Sequence, residues 1–206
     1  PDGEAGNITI GVAMQLHFGV LKDTDDSRTG INWPAPPDFG PLVGTAARQQ
    51  IFGKFRFVAA PVKGNPENIE VLDNWASQHI RLAKLPAVGG VVPKQMEFHK
   101  LAVPQLENLW RAWHEAGLLQ HVISWDGSYV PRFIRGDTTH LSNHAFGTAF
   151  DINCNFNRLG IIPARVGQKG CVREMVELAN QHGFFWGGHF GGKRVDGMHF
   201  EVAKLL

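Results

Sequence analysis

Between residues 100 and 116 the apolar positions recur at helical spacing. Leu106, Leu109, Trp110 and Trp113 fall at i, i+3, i+4 and i+7, and Gly117 is placed to end the helix. Val172, Met175, Val176 and Ala179 form a second such face, which predicts a helix over 172–181 with Gly183 just beyond it. Residues 149–153 and 198–202 alternate instead. In the first, Phe150 and Ile152 point one way and Ala149, Asp151 and Asn153 the other; in the second, Phe200 and Val202 oppose His199 and Glu201. Shorter signals predict a strand over 52–59, a short helix around 73–78 and a strand over 80–85. A further strand is predicted over 122–125, closed by Asp126-Gly127 as a turn. Helices and strands mix without βαβ regularity, so the expected class is α+β. Residues 1–50 carry the least pattern, and Trp33-Pro34-Ala35-Pro36-Pro37 reads as irregular, partly extended chain. The expected organisation is an N-terminal extension over 1–50, of unassigned role, and one domain over 51–206.

Composition narrows the function classes. With 43% hydrophobic and 19% charged residues, a chain of 206 residues is expected to bury a core of its own. A formal net charge of +1 leaves no electrostatic footprint for nucleic acid and no polybasic stretch aimed at a membrane surface. The most apolar stretches, 8–16 and 82–92, are too short or are broken by Gly, Pro and Lys, and so do not read as membrane spans. No basic start followed by an apolar run marks a signal peptide. Neither nucleic acid nor membrane is an expected partner, and oligomeric state is not legible. Cys154 and Cys171 either close one loop in an oxidising compartment or are two separate buried thiols. They form no CxxC pair, so a cysteine zinc site is not expected. Function must be sought in a local site.

The chemistry concentrates in two segments. In Ser142-Asn143-His144-Ala145-Phe146-Gly147-Thr148-Ala149-Phe150-Asp151, His144 precedes a turn at Gly147 and Asp151 lies on the polar face of the following strand. An imidazole and a carboxylate suit Zn²⁺, and small Ala149 leaves room for an ion. Alone the pair is a weak signal, because a His and an Asp at this spacing often occur by chance. In Asp196-Gly197-Met198-His199-Phe200-Glu201, His199 offers a third ligand. Asp196 would lie on the opposite face of a continuous strand, but a turn at Gly197 brings both side chains to one site. Three ligands plus a free carboxylate form the pattern of a catalytic zinc, whose fourth position holds a water with a pKa lowered to ~7. The ordinary readings are a surface turn residue for Asp196 and a satisfied strand histidine for His199. Glu201 is either a partner behind His199 or an exposed strand residue.

Ser-x-His-x-x-Gly-x-Ala-x-Asp followed downstream by Asp-x-x-His resembles the zinc D-alanyl-D-alanine carboxypeptidase and L-alanyl-D-glutamate endopeptidase family. That family shares its fold with the signalling domain of hedgehog proteins. The motif positions are Ser142, His144, Gly147, Ala149 and Asp151, then Asp196 and His199, and the resemblance runs from about residue 125 to 202. It implies a small antiparallel sheet flanked by helices, and one catalytic Zn²⁺ held by His144, Asp151 and His199 with Asp196 as the base. It also implies an upstream arginine that holds a substrate carbonyl or carboxylate. Arg132 and Arg135 are the candidates, with Arg132 the better match, and both have an ordinary reading as ion-pair residues. His189 is a candidate transition-state donor, or a plain loop histidine. Trp186 reads as core rather than cleft. His140 precedes His144 by four residues, but the segment lacks the Glu of His-Glu-x-x-His, and His79 and His114 read as ordinary.

The resemblance implies a peptidase acting on peptidoglycan stem peptides, with the L-Ala–D-Glu endopeptidase cut placed ahead of D-Ala–D-Ala carboxypeptidase cleavage. It implies work in, or export to, the bacterial cell envelope. The alternative is a non-catalytic, zinc-stabilised binding module of the same fold.

Overall fold

The computed structural model describes Arg28 and residues 32–206; the apolar stretch 8–16 lies outside them. The first element among the described residues is helix α1 (Thr45–Phe52), with Arg48 and Phe52 buried on one side. A boundary at residue 50 therefore falls inside a helix. The strand expected over 52–59 is confined to β1 (Phe57–Ala59), which pairs antiparallel with β2 (Ile69–Val71). The alternating aromatics there serve packing rather than a ladder. Phe52 ends the helix and Phe55 lies in the core against Trp75 and Phe146.

Helix α2 (Trp75–His79) leads directly into β3 (Ile80–Lys84), close to the expected bounds. A hairpin partner follows, β4 (Gln95–His99), then the long helix α3 (Val103–Glu115). All four predicted apolar residues of α3 are fully buried. The strand expected over 122–125 is instead β5 (Trp125–Gly127), with a register irregularity inside it. Just before it, the backbone N–H groups of Ile123 and Ser124 both donate to Oδ1 of Asn153, at 2.8 and 3.1 Å. A side-chain amide thus takes the place of a ladder partner, which sequence alternation does not reveal.

The remaining strands are β6 (Ala149–Ile152), β7 (Phe184–Trp186) and β8 (His199–Val202), with helix α4 (Val176–Gln181) before β7. The helix predicted from residue 172 starts as a 3₁₀ turn, Arg173–Met175. The sheet is fully antiparallel in the order β5-β6-β8-β7. The class is α+β, as the pattern predicts.

One face of the two central strands makes the core. Phe150 and Phe200 stack at 5.4 Å, and Trp113 meets them edge-on at 5.9 and 5.6 Å. Trp113 also donates its indole N–H to the Met175 carbonyl at 3.0 Å, tying α3 to the turn before α4. Trp113→Ala should therefore cost ~3–5 kcal/mol, from lost burial, the cavity left behind and an orphaned carbonyl. Urea unfolding followed by circular dichroism measures it.

Cys154 and Cys171 are not bonded. Side-chain amides hold the loop between them instead, since Asn153 and Asn157 donate to the Gly170 carbonyl at 3.1 and 2.8 Å. The loop closure that a disulfide would supply is already met by hydrogen bonds. No helix among the described residues is long and apolar enough to cross a membrane.

Candidate functional site

The sheet's register builds the site. Asp151 on β6 lies directly opposite His199 on β8, on the face away from the stacked phenylalanines. His144 arrives from a 3₁₀ turn, Asn143–Phe146, whose start is held by Ser142 Oγ accepting from the His144 N–H at 3.3 Å. Gly147 closes that turn at φ 62°, a conformation that favours glycine. A Cβ there would also sit 2.7 Å from Ile80 Cδ1 and 3.3 Å from the His99 backbone nitrogen, so the turn packs closely on the β3–β4 hairpin. This fixes the short path from His144 to Asp151.

Three atoms converge. His144 Nε2 lies 3.2 Å from Asp151 Oδ1, His199 Nδ1 lies 2.9 Å from that oxygen, and the two ring nitrogens are 3.2 Å apart. All three residues are buried. Among the described residues they form the one group of His, Cys, Asp and Glu arranged to hold a metal ion. The donor chemistry fits. His144 Nδ1 faces the Ser128 carbonyl at 2.6 Å, so it must donate, which leaves Nε2 as a bare lone pair. His199 Nε2 faces Glu201 at 3.0 Å. Two nitrogens and a carboxylate oxygen suit zinc, and bonds of ~2.0–2.1 Å to a tetrahedral ion imply ligand separations of ~3.3 Å, close to those seen.

Electrostatics carry the same signal. Burial opposes charge on His199, but hydrogen bonds from its ring to Asp151 and Glu201, with their charges, raise its pKa to about 10. Burial likewise opposes the Asp151 carboxylate, yet the charges and hydrogen bonds of His144 and His199 hold it well below the usual range. With no metal, a proton on His199 supplies the positive charge that this pair of carboxylates demands.

Asp196 behaves differently. Burial, reinforced by the Asp151 charge, raises its pKa to about 6 against the pull of His199, Arg132 and Arg194. Its Oδ1 is buried without a hydrogen-bond partner among the described residues. The backbone holds it in a turn: the Asp196 N–H donates to Gly187 at 2.9 Å and its carbonyl accepts from the His199 N–H at 3.2 Å. Gly197 serves that turn by close approach, since a Cβ there would lie 2.4 Å from Pro163 Cγ. Trp186, fully buried, donates its indole N–H to the Gly197 carbonyl at 2.8 Å, so it is core and a support of the turn at once.

A cavity of about 530 Å³ opens onto the site, and Arg132, Asp196, His199, Leu42, Leu159 and Phe190 are among its walls. His144 and Asp151 are not wall residues; they meet the cavity through His199. Arg132 is largely buried, which lowers its pKa, as does nearby Arg135, while Asp151 and Asp196 counter through their charges. Arg135 also borders the cavity but is committed to Glu67 at 2.6 Å and Asn65 at 2.7 Å. His189 is not brought to the cavity. Its Nε2 is taken by the Pro34 carbonyl at 2.9 Å and its ring packs edge-on against Trp33 and Trp186. The Pro-rich segment, read as irregular chain, is what captures it. His140 is exposed and bound to Asp137 at 2.7 Å.

Sequence reasoning missed Ser128, Asn143 and Arg48. Glu201, given two readings above, is buried and bonded to His199. No signal pointed to Arg48, which reaches Asn143 across 95 residues of chain.

No curated protein matches the chain significantly. A family model described as D-alanyl-D-alanine carboxypeptidase matches residues 135–202, the stretch that supplies all three converging residues and Asp196. Over those residues, about a third of the chain, it is similar to the D-alanyl-D-alanine carboxypeptidase family.

Proposed function

We propose that the protein is a zinc metallopeptidase that hydrolyses peptide bonds in peptidoglycan stem peptides and works in the bacterial cell envelope. The observation that carries this reading is Asp196. It is a half-buried carboxylate whose Oδ1 is buried without a hydrogen-bond partner among the described residues, on the wall of a cavity that also exposes His199, and it is not needed as a ligand. His144, Asp151 and His199 would hold the ion. When bound there, zinc supplies an acidified water and a Lewis acid at the scissile carbonyl.

The chain's own residues do the rest. Asp196 takes the proton of the attacking water and delivers it to the leaving amine. Its raised pKa suits both halves of that task, since the acid form must be accessible after the base form has acted. Arg132 presents a guanidinium fork at the cavity wall, suited to a substrate carboxylate or a developing oxyanion. Arg135, held by Glu67, buttresses the outer wall, and His189 takes no part. Leu42, Leu159 and Phe190 supply apolar walls that exclude water once a peptide enters.

The test is product identification on intact peptidoglycan by mass spectrometry, with and without a chelator. Fragment masses distinguish cleavage at L-Ala–D-Glu from loss of terminal D-Ala. If zinc-loaded protein cuts neither bond, the proposal fails. The pH profile provides a second check. Asp196 must be ionised to act as a base, so kcat/KM should fall as pH drops through its pKa. The acid limb is expected at or below about 6, because a bound dication favours the carboxylate.

A further inference from the structure

A line of hydrogen bonds leaves the candidate metal site through its back wall. His199 Nε2 meets Glu201 Oε2 at 3.0 Å, the same oxygen accepts from Asn143 Nδ2, and Asn143 Oδ1 accepts from Arg48 Nε at 2.7 Å. Arg48 also donates to the Leu141 carbonyl at 3.2 Å. Arg48, Asn143 and Glu201 are all buried. Arg48 comes from α1, and it lies outside the residues matched by the family model.

The direction of every bond in this line follows from its far end. A guanidinium only donates, so Asn143 must turn its carbonyl oxygen toward Arg48. Its amide NH₂ then has to face Glu201, where it donates. Glu201 Oε2 is left accepting from both sides, which requires the proton of His199 to sit on Nε2. In the neutral ring that a metal ion requires, Nδ1, the atom facing Asp151 and His144, then carries the lone pair. A flipped Asn143 amide would set its oxygen against the Glu201 carboxylate and remove this constraint.

We infer that Arg48 is a positioning residue for the metal site: it fixes the orientation of Asn143 and, through Glu201, the ring tautomer that frees His199 Nδ1 to bind a metal ion. This rests on the metal-binding part of the proposed function, not on the substrate.

The test measures zinc affinity by competition with a chromophoric chelator, on the full chain. Arg48→Met is expected to weaken binding ~10–100-fold, the range for loss of an outer partner. Arg48→Lys, which keeps a cationic donor, should recover most of that loss. Asn143→Asp preserves shape but removes the donor to Glu201, and should weaken zinc as Arg48→Met does. It carries the test should Arg48→Met fail to fold, which a thermal melt of the metal-free protein reveals. Long-range ¹H–¹⁵N spectra of the zinc-loaded native protein should show the His199 proton on Nε2. Native zinc affinity in Arg48→Met or Asn143→Asp, equal weakening by Arg48→Met and Arg48→Lys, or a proton on Nδ1 would each overturn the inference. A native chain that binds no zinc at all would instead overturn the metal reading beneath it.

Discussion

Asp196→Ala is expected to lower turnover ~10²–10⁴-fold, the range for loss of a general base, without loss of bound zinc. The separation of the two effects follows from the turn. The bonds that hold it, Asp196 N–H to Gly187 and His199 N–H to Asp196, are made by backbone. Removing the carboxylate therefore leaves His199 where it is. The same substitution should raise the stability of the metal-free protein above pH 6. The sign follows from the pKa. A carboxyl that titrates at about 6 when folded and at 3.8 when unfolded costs stability as pH rises through that interval, and alanine escapes the cost. Lower activity with higher stability is hard to obtain from a residue that merely supports the fold. Metal analysis, single-turnover kinetics and thermal melts at pH 4 and 7.5 measure the three quantities. Surviving activity would refute the role assigned to Asp196.

His199→Ala should be the more damaging substitution. It removes one of three ligand atoms, so the loss of zinc affinity should exceed the ~10–100-fold that an outer partner costs. Activity should vanish with the metal. The metal-free protein should suffer as well. Asp151 and Glu201 both bond to the His199 ring and neither is solvent-exposed, so deletion of the imidazolium leaves two buried carboxylates without their shared cation. Breaking a buried ion pair from one side costs ~3–5 kcal/mol. The native protein carries the matching pH dependence. The His199 pKa is raised from 6.5 to about 10, so its contribution is full below about 6.5 and is lost as pH climbs toward 10. Denaturant melts of metal-free native and variant protein at pH 6 and 9.5 should therefore differ most at the lower pH. An equal gap at both would argue against a charged His199.

The legible parts of this molecule are those governed by short-range rules. The face of α3 and the alternation of β6 and β8 follow from periodicities of 3.6 and 2, and they place Asp151 and His199 opposite the core before any contact is known. The spacing around Gly147 and Gly197 carries the two turns that bring His144 and Asp196 in. The illegible parts depend on long-range partners. Asn153 replaces a strand ladder at Ile123 and Ser124, so β5 begins later than alternation suggests. Phe52 belongs to a helix because Arg48 and Phe52 bury together, a fact about what lies beneath α1. The capture of His189 by Pro34 joins positions 155 residues apart. The motif makes Arg132 the better match than Arg135, but both are cations near it. The partners that hold Arg135, Glu67 and Asn65, lie about 70 residues upstream and carry no signal in the sequence.

The sharing of two strands by the stacked phenylalanines and two of the three converging ligands has a thermodynamic consequence. Phe150 and Asp151 are neighbours on β6, and His199 and Phe200 are neighbours on β8. Asp151 and His199 cannot come apart by local fraying, because the backbone that carries them also carries the core. Metal release and global unfolding are then linked equilibria of one cooperative unit. A free ion at a hundred times its dissociation constant would add ~2.7 kcal/mol to the stability of that whole unit, not of the site alone. Scarcity of the ion would accordingly be read out as turnover of the protein, through proteolysis of its unfolded form, as much as by loss of catalysis.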